Sequence, residues 1–181
     1  LRVFDELGQE ILKISQANKD QIDRPTTDTL TGLHNRIIFD FEMELLVSTH
    51  NRYNNVFSVA LLELVDYELA YELTGKQTAD EMLVKIGSVF KEELRNTDLV
   101  FRVAEDKLAI IFTNTTLAEA QSKLRKIISL TKHMVQGPYG DDIMLCRCLV
   151  EPGNRETVDI FKYRMQRQLA VAVDLRKEIV V

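Results

Sequence analysis

Three patterns in the sequence predict an α+β domain, with helices packed against a mostly antiparallel central sheet. Val56 to Val65 is an almost unbroken apolar run rich in β-formers, which reads as a buried strand. Leu99 to Val103 and Leu108 to Phe112 are two short apolar runs around the tight connection Ala104 to Lys107, which reads as a hairpin. Stretches of helical periodicity lie around these strands, and runs of helix and strand in this order suggest a sandwich of helices on a sheet.

Taken in order, residues 1 to about 20 place Leu1, Phe4, Leu7, Ile11 and Ile14 at helical spacing with polar residues between them, the pattern of an amphipathic helix. Its apolar stripe needs a partner, either its twin in a dimer or the body of the same domain. Asn18 to Thr27 is polar and includes Pro25, so residues 1–27 read as a signalling or linker helix and residues 28–181 as the globular domain. Arg36 to His50 is helical by its period. Ala79 to Arg95 forms a helix with Met82, Leu83, Ile86, Val89 and Phe90 on its inner face. A helix from Leu117 to about Lys132 and a strand from Ile143 to Glu151 follow.

Composition limits the function classes. With 181 residues, 45% hydrophobic and 28% charged, the chain has room for one domain and an appendage. A net charge of -5 supplies no broad basic field, which argues against a nucleic-acid partner, while a small anionic ligand needs only a few local arginines. Cys146 and Cys148 alternate on one expected strand, a spacing that suits neither a zinc site nor an intrastrand disulfide, and both are expected as reduced thiols in the cytoplasm. No apolar run approaches the ~20 residues of a membrane span, so no membrane contact is expected of this fragment. The chain begins at Leu1 rather than Met, which reads as excision from a longer protein; the expected location is the cytoplasm, with the cytoplasmic part of a larger, membrane-attached protein as the variant of that expectation. His34, His50 and His133 are dispersed and show no ligand spacing.

The stretch Asp28-Thr29-Leu30-Thr31-Gly32-Leu33-His34-Asn35-Arg36 resembles the D-x-L-T-G-L-x-N-R opening segment of GGDEF domains, the diguanylate cyclase family. The resemblance covers residues 28–181 and implies the nucleotide-cyclase-like fold. In that family two nucleoside triphosphates meet face to face across two domains, each with a divalent cation. The resemblance puts the two cation ligands at Glu63 and Asp106, a pair of hard oxygen donors suited to magnesium.

The signature that names the family is altered. Where it reads Arg-Tyr-Gly-Gly-Asp-Glu-Phe, this chain has Arg102-Val103-Ala104-Glu105-Asp106-Lys107-Leu108. Ala104 and Glu105 replace glycines that let a triphosphate lie against bare backbone. A like charge ~4 Å from a phosphate costs about 4 kcal/mol at intermediate dielectric, and Lys107 competes with a metal. Of the guanine-reading pair, the asparagine falls on Tyr71 and the aspartate is kept as Asp80. The phosphate-contacting lysine of the C-terminal signature falls on Val173, leaving Lys177 nearby. These departures lead to the expectation of a domain without diguanylate cyclase activity and with no required cofactor or assigned metal, Glu63, Asp106 and Asp80 being vestiges, although Glu63 and Asp106 could in principle still hold magnesium.

Arg95-Asn96-Thr97-Asp98 matches the family's R-x-x-D allosteric motif at its usual offset before the signature. The resemblance implies binding of c-di-GMP there: a guanidinium fork grips a phosphate or a guanine edge, and a carboxylate accepts from guanine N–H donors. The next helix is expected to add a basic group, with Lys126 in register and Arg125 beside it. The leading expectation is a c-di-GMP receptor acting on a homodimer or a neighbouring domain. The alternatives are a ligand-free dimerisation or interaction scaffold, and residual cyclase chemistry using Glu63, Asp106 and Asp80.

Overall fold

The structure, a computed structural model, describes residues 26–181, so the amphipathic helix expected within residues 1–27 lies almost wholly outside the described residues. A five-stranded sheet forms the centre, built from β1 (Phe57–Leu64), β2 (Leu99–Arg102), β3 (Lys107–Thr113), β4 (Leu145–Val150) and β5 (Glu178–Val180) in the order β2-β3-β1-β4-β5. All neighbours are antiparallel except β4 and β5. The helices are α1 (Arg36–Tyr53), α2 (Tyr67–Thr74), α3 (Lys76–Glu93), α4 (Leu117–Met134) and α5 (Val158–Asp174).

The alternation of β1 divides the core in two. Ala60, Leu62 and Leu64 face a cluster that includes Leu83 and Phe90 of α3 and Leu124 and Ile128 of α4. Phe57, Val59 and Leu61 face the opposite cluster, with Phe39 and Met43 of α1 and Phe161 and Met165 of α5. Both faces of the central strand are thus covered, which explains why it reads as a continuous apolar run.

Three elements escaped the sequence reading. Helix α2 has only 8 residues and is divided from α3 by Gly75 at φ 87 alone, so no gap marks the boundary. Strand β5 is three residues held by its parallel pairing with β4, too short for a periodic signal. Helix α5 did carry one: Phe161, Met165, Leu169 and Ala172 recur on one face and are all buried.

The opening segment proves to be a structural knot. The Asp28 carboxylate accepts hydrogen bonds from the Thr31 amide at 2.8 Å and its hydroxyl at 2.7 Å, and the Gly32 amide donates to the Asp28 carbonyl at 2.8 Å. Gly32 sits at φ +65, in the left-handed region that suits glycine. Leu33 is then fully buried against Gly87 of α3, where an added Cβ would come within 3.1 Å of it. Asn35 caps α1 by accepting from the Ile38 amide. Arg102, from β2, closes the knot on Asp28 at 3.3 Å.

Burial opposes ionisation of Asp28, but hydrogen bonds from Thr31 and the charge of Arg102 outweigh it and hold the carboxyl below its ordinary 3.8. A depressed carboxyl contributes stability that is present above the unfolded value and lost as pH falls through the folded one. Asp28→Asn is expected to destabilise by about 1 kcal/mol at neutral pH, with the gap narrowing from about pH 5 downward. Urea unfolding at neutral and acid pH checks this; an unchanged gap would exclude a role for ionisation.

Candidate functional site

Two regions carry the predicted residues, the first with two clefts and the second with one. The first surrounds the β2–β3 turn. There the Val103 amide donates to the Lys107 carbonyl at 3.0 Å and the Leu64 amide to the Asp106 carbonyl at 2.9 Å, tying the turn to the end of β1. Glu63 stands opposite Lys107 in the ladder. The Lys107 ammonium lies 3.1 Å from Glu63 Oε2 and 2.9 Å from Asp106 Oδ1. Burial pulls its pKa down, yet the hydrogen bonds to Asp106 and Glu63 more than reverse this and hold it above the ordinary value. The place between the two carboxylates, where the family resemblance implies a divalent cation, thus carries a cation of the protein itself. As they stand, these residues do not fit a metal between them.

Asp80, expected to read guanine, is engaged within the protein. The Tyr67 hydroxyl donates to it at 2.8 Å, and Lys76 lies at 3.1 Å. Burial works against its charge, but these two partners prevail and depress its pKa. Tyr67, Tyr71 and Lys76 line the adjoining cleft of about 500 Å³ together with Glu105 and Asp106. Glu105 is 67% exposed and 3.9 Å from Lys76, so water screens its charge and a lysine offsets it. Exposure and the neighbouring lysine both lessen the repulsion expected of this residue toward a phosphate. Val173, at the position of the phosphate-contacting lysine, packs against the α1 and α5 core instead.

The second region holds a cleft of about 190 Å³ between the end of α3 and the face of α4, lined by Glu93, Arg95, Asp98, Lys123, Lys126 and Ile127 among others. The Asp98 amide donates to the Arg95 carbonyl at 2.9 Å, and the Thr113 hydroxyl donates to the Thr97 carbonyl at 2.8 Å, so the R-x-x-D stretch is a pinned turn. The Asp98 side chain is 1% exposed, and its Oδ1 is buried without a hydrogen-bond partner. Arg95 is exposed beside it. Lys126 reaches the cleft but pairs with Glu93 at 3.1 Å.

Arg125, expected at this site, is not part of it. Its guanidinium turns toward Glu178 of β5 at 3.7 Å, because two residues along a helix are turned by roughly 200° from Lys123. Sequence reasoning missed Lys123; the signal was its place one turn before Lys126 on the same face. Cys146 and Cys148 are free and buried, and burial pushes the Cys148 thiol up to about 12. Among the described residues no group of three or more His, Cys, Asp or Glu is placed to hold a metal, and no helix is long and apolar enough to cross a membrane.

Residues 25–144 match the family model described as diguanylate cyclase, GGDEF domain. Relatives include the Bacillus subtilis membrane protein YdaK, 24% identical over 76% of this chain and 53% of its own length. The diguanylate cyclase DosC of Escherichia coli is 30% identical over 65% of this chain and 26% of its own length. The chain therefore spans about half or less of these curated relatives. Among solved structures, the GGDEF domain of DgcB from Caulobacter crescentus in complex with c-di-GMP superposes with a TM-score of 0.77 at 20% identity, over 87% of this chain and 95% of that one, which shows the shared fold. These findings overturn the expectation of a domain without cyclase activity: the family is that of the diguanylate cyclases, relatives bear that name, and altered side chains in the signature turn and at Tyr71 and Val173 do not establish inactivity.

Proposed function

We propose, since the chain belongs to the GGDEF family of diguanylate cyclases, that it is a regulatory module of c-di-GMP signalling that binds the dinucleotide at the cleft of Arg95 and Asp98. The observation that carries this reading is the Asp98 carboxylate, buried in the wall of that cleft with one oxygen unpartnered. A buried acceptor without a donor is costly, and guanine offers adjacent N–H donors that would satisfy it. Arg95, exposed at the mouth, would supply the guanidinium fork for phosphate or the Hoogsteen edge of the base. The c-di-GMP complex of the DgcB domain, with the same fold, supports the choice of ligand.

Binding at this turn would be read by a second copy of the chain or by a neighbouring domain, on the cytoplasmic side. No metal is needed for the recognition described. Calorimetric titration with c-di-GMP tests the reading. Wild type is expected to bind in the micromolar range or tighter, and Arg95→Ala to weaken binding by about thirtyfold, near 2 kcal/mol. Silence in the wild type would sink the receptor reading and leave an interaction scaffold. A separate incubation with GTP and magnesium, with Asp106→Ala as control, reports on cyclase chemistry around the β2–β3 turn.

A further inference from the structure

We infer that Lys123, rather than Lys126, is the second cation of the Arg95 and Asp98 cleft: it orients the Asp98 carboxylate as an acceptor and presents positive charge to the phosphate of the ligand. This rests on the reading of that cleft as a c-di-GMP site and adds a residue to it.

The difference between the two lysines lies in their partners. Lys123 Nζ lies 3.5 Å from Asp98 Oδ2 and 3.4 Å from Thr115 Oγ1, and 5.7 Å above the ring of the buried Phe112. Its side chain is only 25% exposed, so it is held in one place by two polar partners and an aromatic face. An ammonium has three donors. Asp98 and Thr115 direct two of them, and the third serves an incoming phosphate oxygen. Lys126 has a side chain 71% exposed, and its charge is matched by Glu93 at the rim. A solvated, paired lysine adds little to the binding of an anion, whereas a half-buried one ordered by its neighbours is preorganised for it.

The pairing also orients Asp98. Lys123 engages Oδ2 and leaves Oδ1 as the atom without a partner, so the ligand meets an acceptor that is fixed rather than rotating. Lys123 is thus a positioning residue for Asp98 and a charge for the ligand at once.

The test is calorimetric titration of the full chain with c-di-GMP, for wild type, Lys123→Met, Lys123→Arg and Lys126→Met, each confirmed as folded by circular dichroism and repeated at about 50 and about 300 mM salt. Lys123→Met is expected to weaken binding by about twentyfold and to flatten the salt dependence, Lys126→Met to weaken it by less than about threefold, and Lys123→Arg to recover most of the loss. A purely structural role for Lys123 would weaken binding with the wild-type salt dependence retained, which overturns the inference, as does Lys123→Met binding like wild type. Loss of the fold in Lys123→Met shifts the decision to Lys123→Arg, where wild-type affinity with a preserved salt response supports the inference and a loss matching Arg95→Ala overturns it. A wild type that binds nothing overturns the reading of the cleft itself, an outcome distinct from the others.

Discussion

Phe101→Ala is expected to destabilise the domain by about 4 kcal/mol, lowering the thermal midpoint by roughly 10 °C. Phe101 is fully buried in β2 and meets the Phe39 ring edge-on at 5.3 Å and the His34 ring at 5.5 Å. Truncation removes transfer free energy, leaves a cavity and loses an edge-to-face pair. The site resists collapse because the backbone on both sides is pinned: the His34 amide donates to the Val100 carbonyl, and the Arg102 amide donates to the His34 carbonyl. Phe41, on the outer side of α1 and 61% exposed, provides the contrast. Phe41→Ala is expected to stay within about 0.5 kcal/mol of wild type. Chemical unfolding of the two variants decides the matter; a loss below about 1 kcal/mol for Phe101→Ala would mean that the opening segment relaxes into the space.

Lys107→Met is expected to lower stability by about 2 kcal/mol, and millimolar Mn²⁺ to restore much of it while leaving wild type unmoved. The two carboxylates that flank the ammonium, Glu63 and Asp106, are 20% and 30% exposed in their side chains, so water screens their repulsion only in part once the lysine charge is gone. Methionine keeps the apolar stem and its packing, so the effect reports charge. A divalent cation suits two facing carboxylates and would enter where the ammonium stood. The cost is set below that of a fully buried pair because all three groups retain exposure. A variant as stable as wild type, or equal responses of both to Mn²⁺, would contradict the account of Lys107 as the resident cation.

Much of this architecture was legible because its signals are local. The hydrophobic period of α1, α3 and α4 and the apolar run of β1 were read within a few residues of their ends, since burial imposes a pattern on contiguous residues. The D-x-L-T-G-L-x-N-R stretch was equally legible, and the structure gives its reason: Asp28, Thr31 and Gly32 bond to one another across at most four residues. The R-x-x-D turn is of the same kind, with Arg95 and Asp98 joined by one short backbone bond. Helix α5 carried the same kind of periodic signal, with Phe161, Met165, Leu169 and Ala172 on one buried face.

What the chain order could not decide is which side chains meet across elements. Lys123 and Arg125 are equally basic in the sequence, and only the rotation of α4 about its axis on the sheet sends the first to Asp98 and the second to Glu178. Lys107 looked like a competitor for a metal, and the cross-strand register with Glu63 showed it bonded to both carboxylates. Glu105 reads in the sequence as a barrier to phosphate, and its exposure beside Lys76 lowers that barrier, since a charge repels according to the dielectric around it. By itself the sequence determined the fold class, the turn chemistry and the location of the Arg95 and Asp98 pair, because these follow from contacts between near neighbours. Only the tertiary structure decided the partners of Asp98, Asp80 and Lys107, because distance and burial between residues far apart in the chain set the energy of a charge.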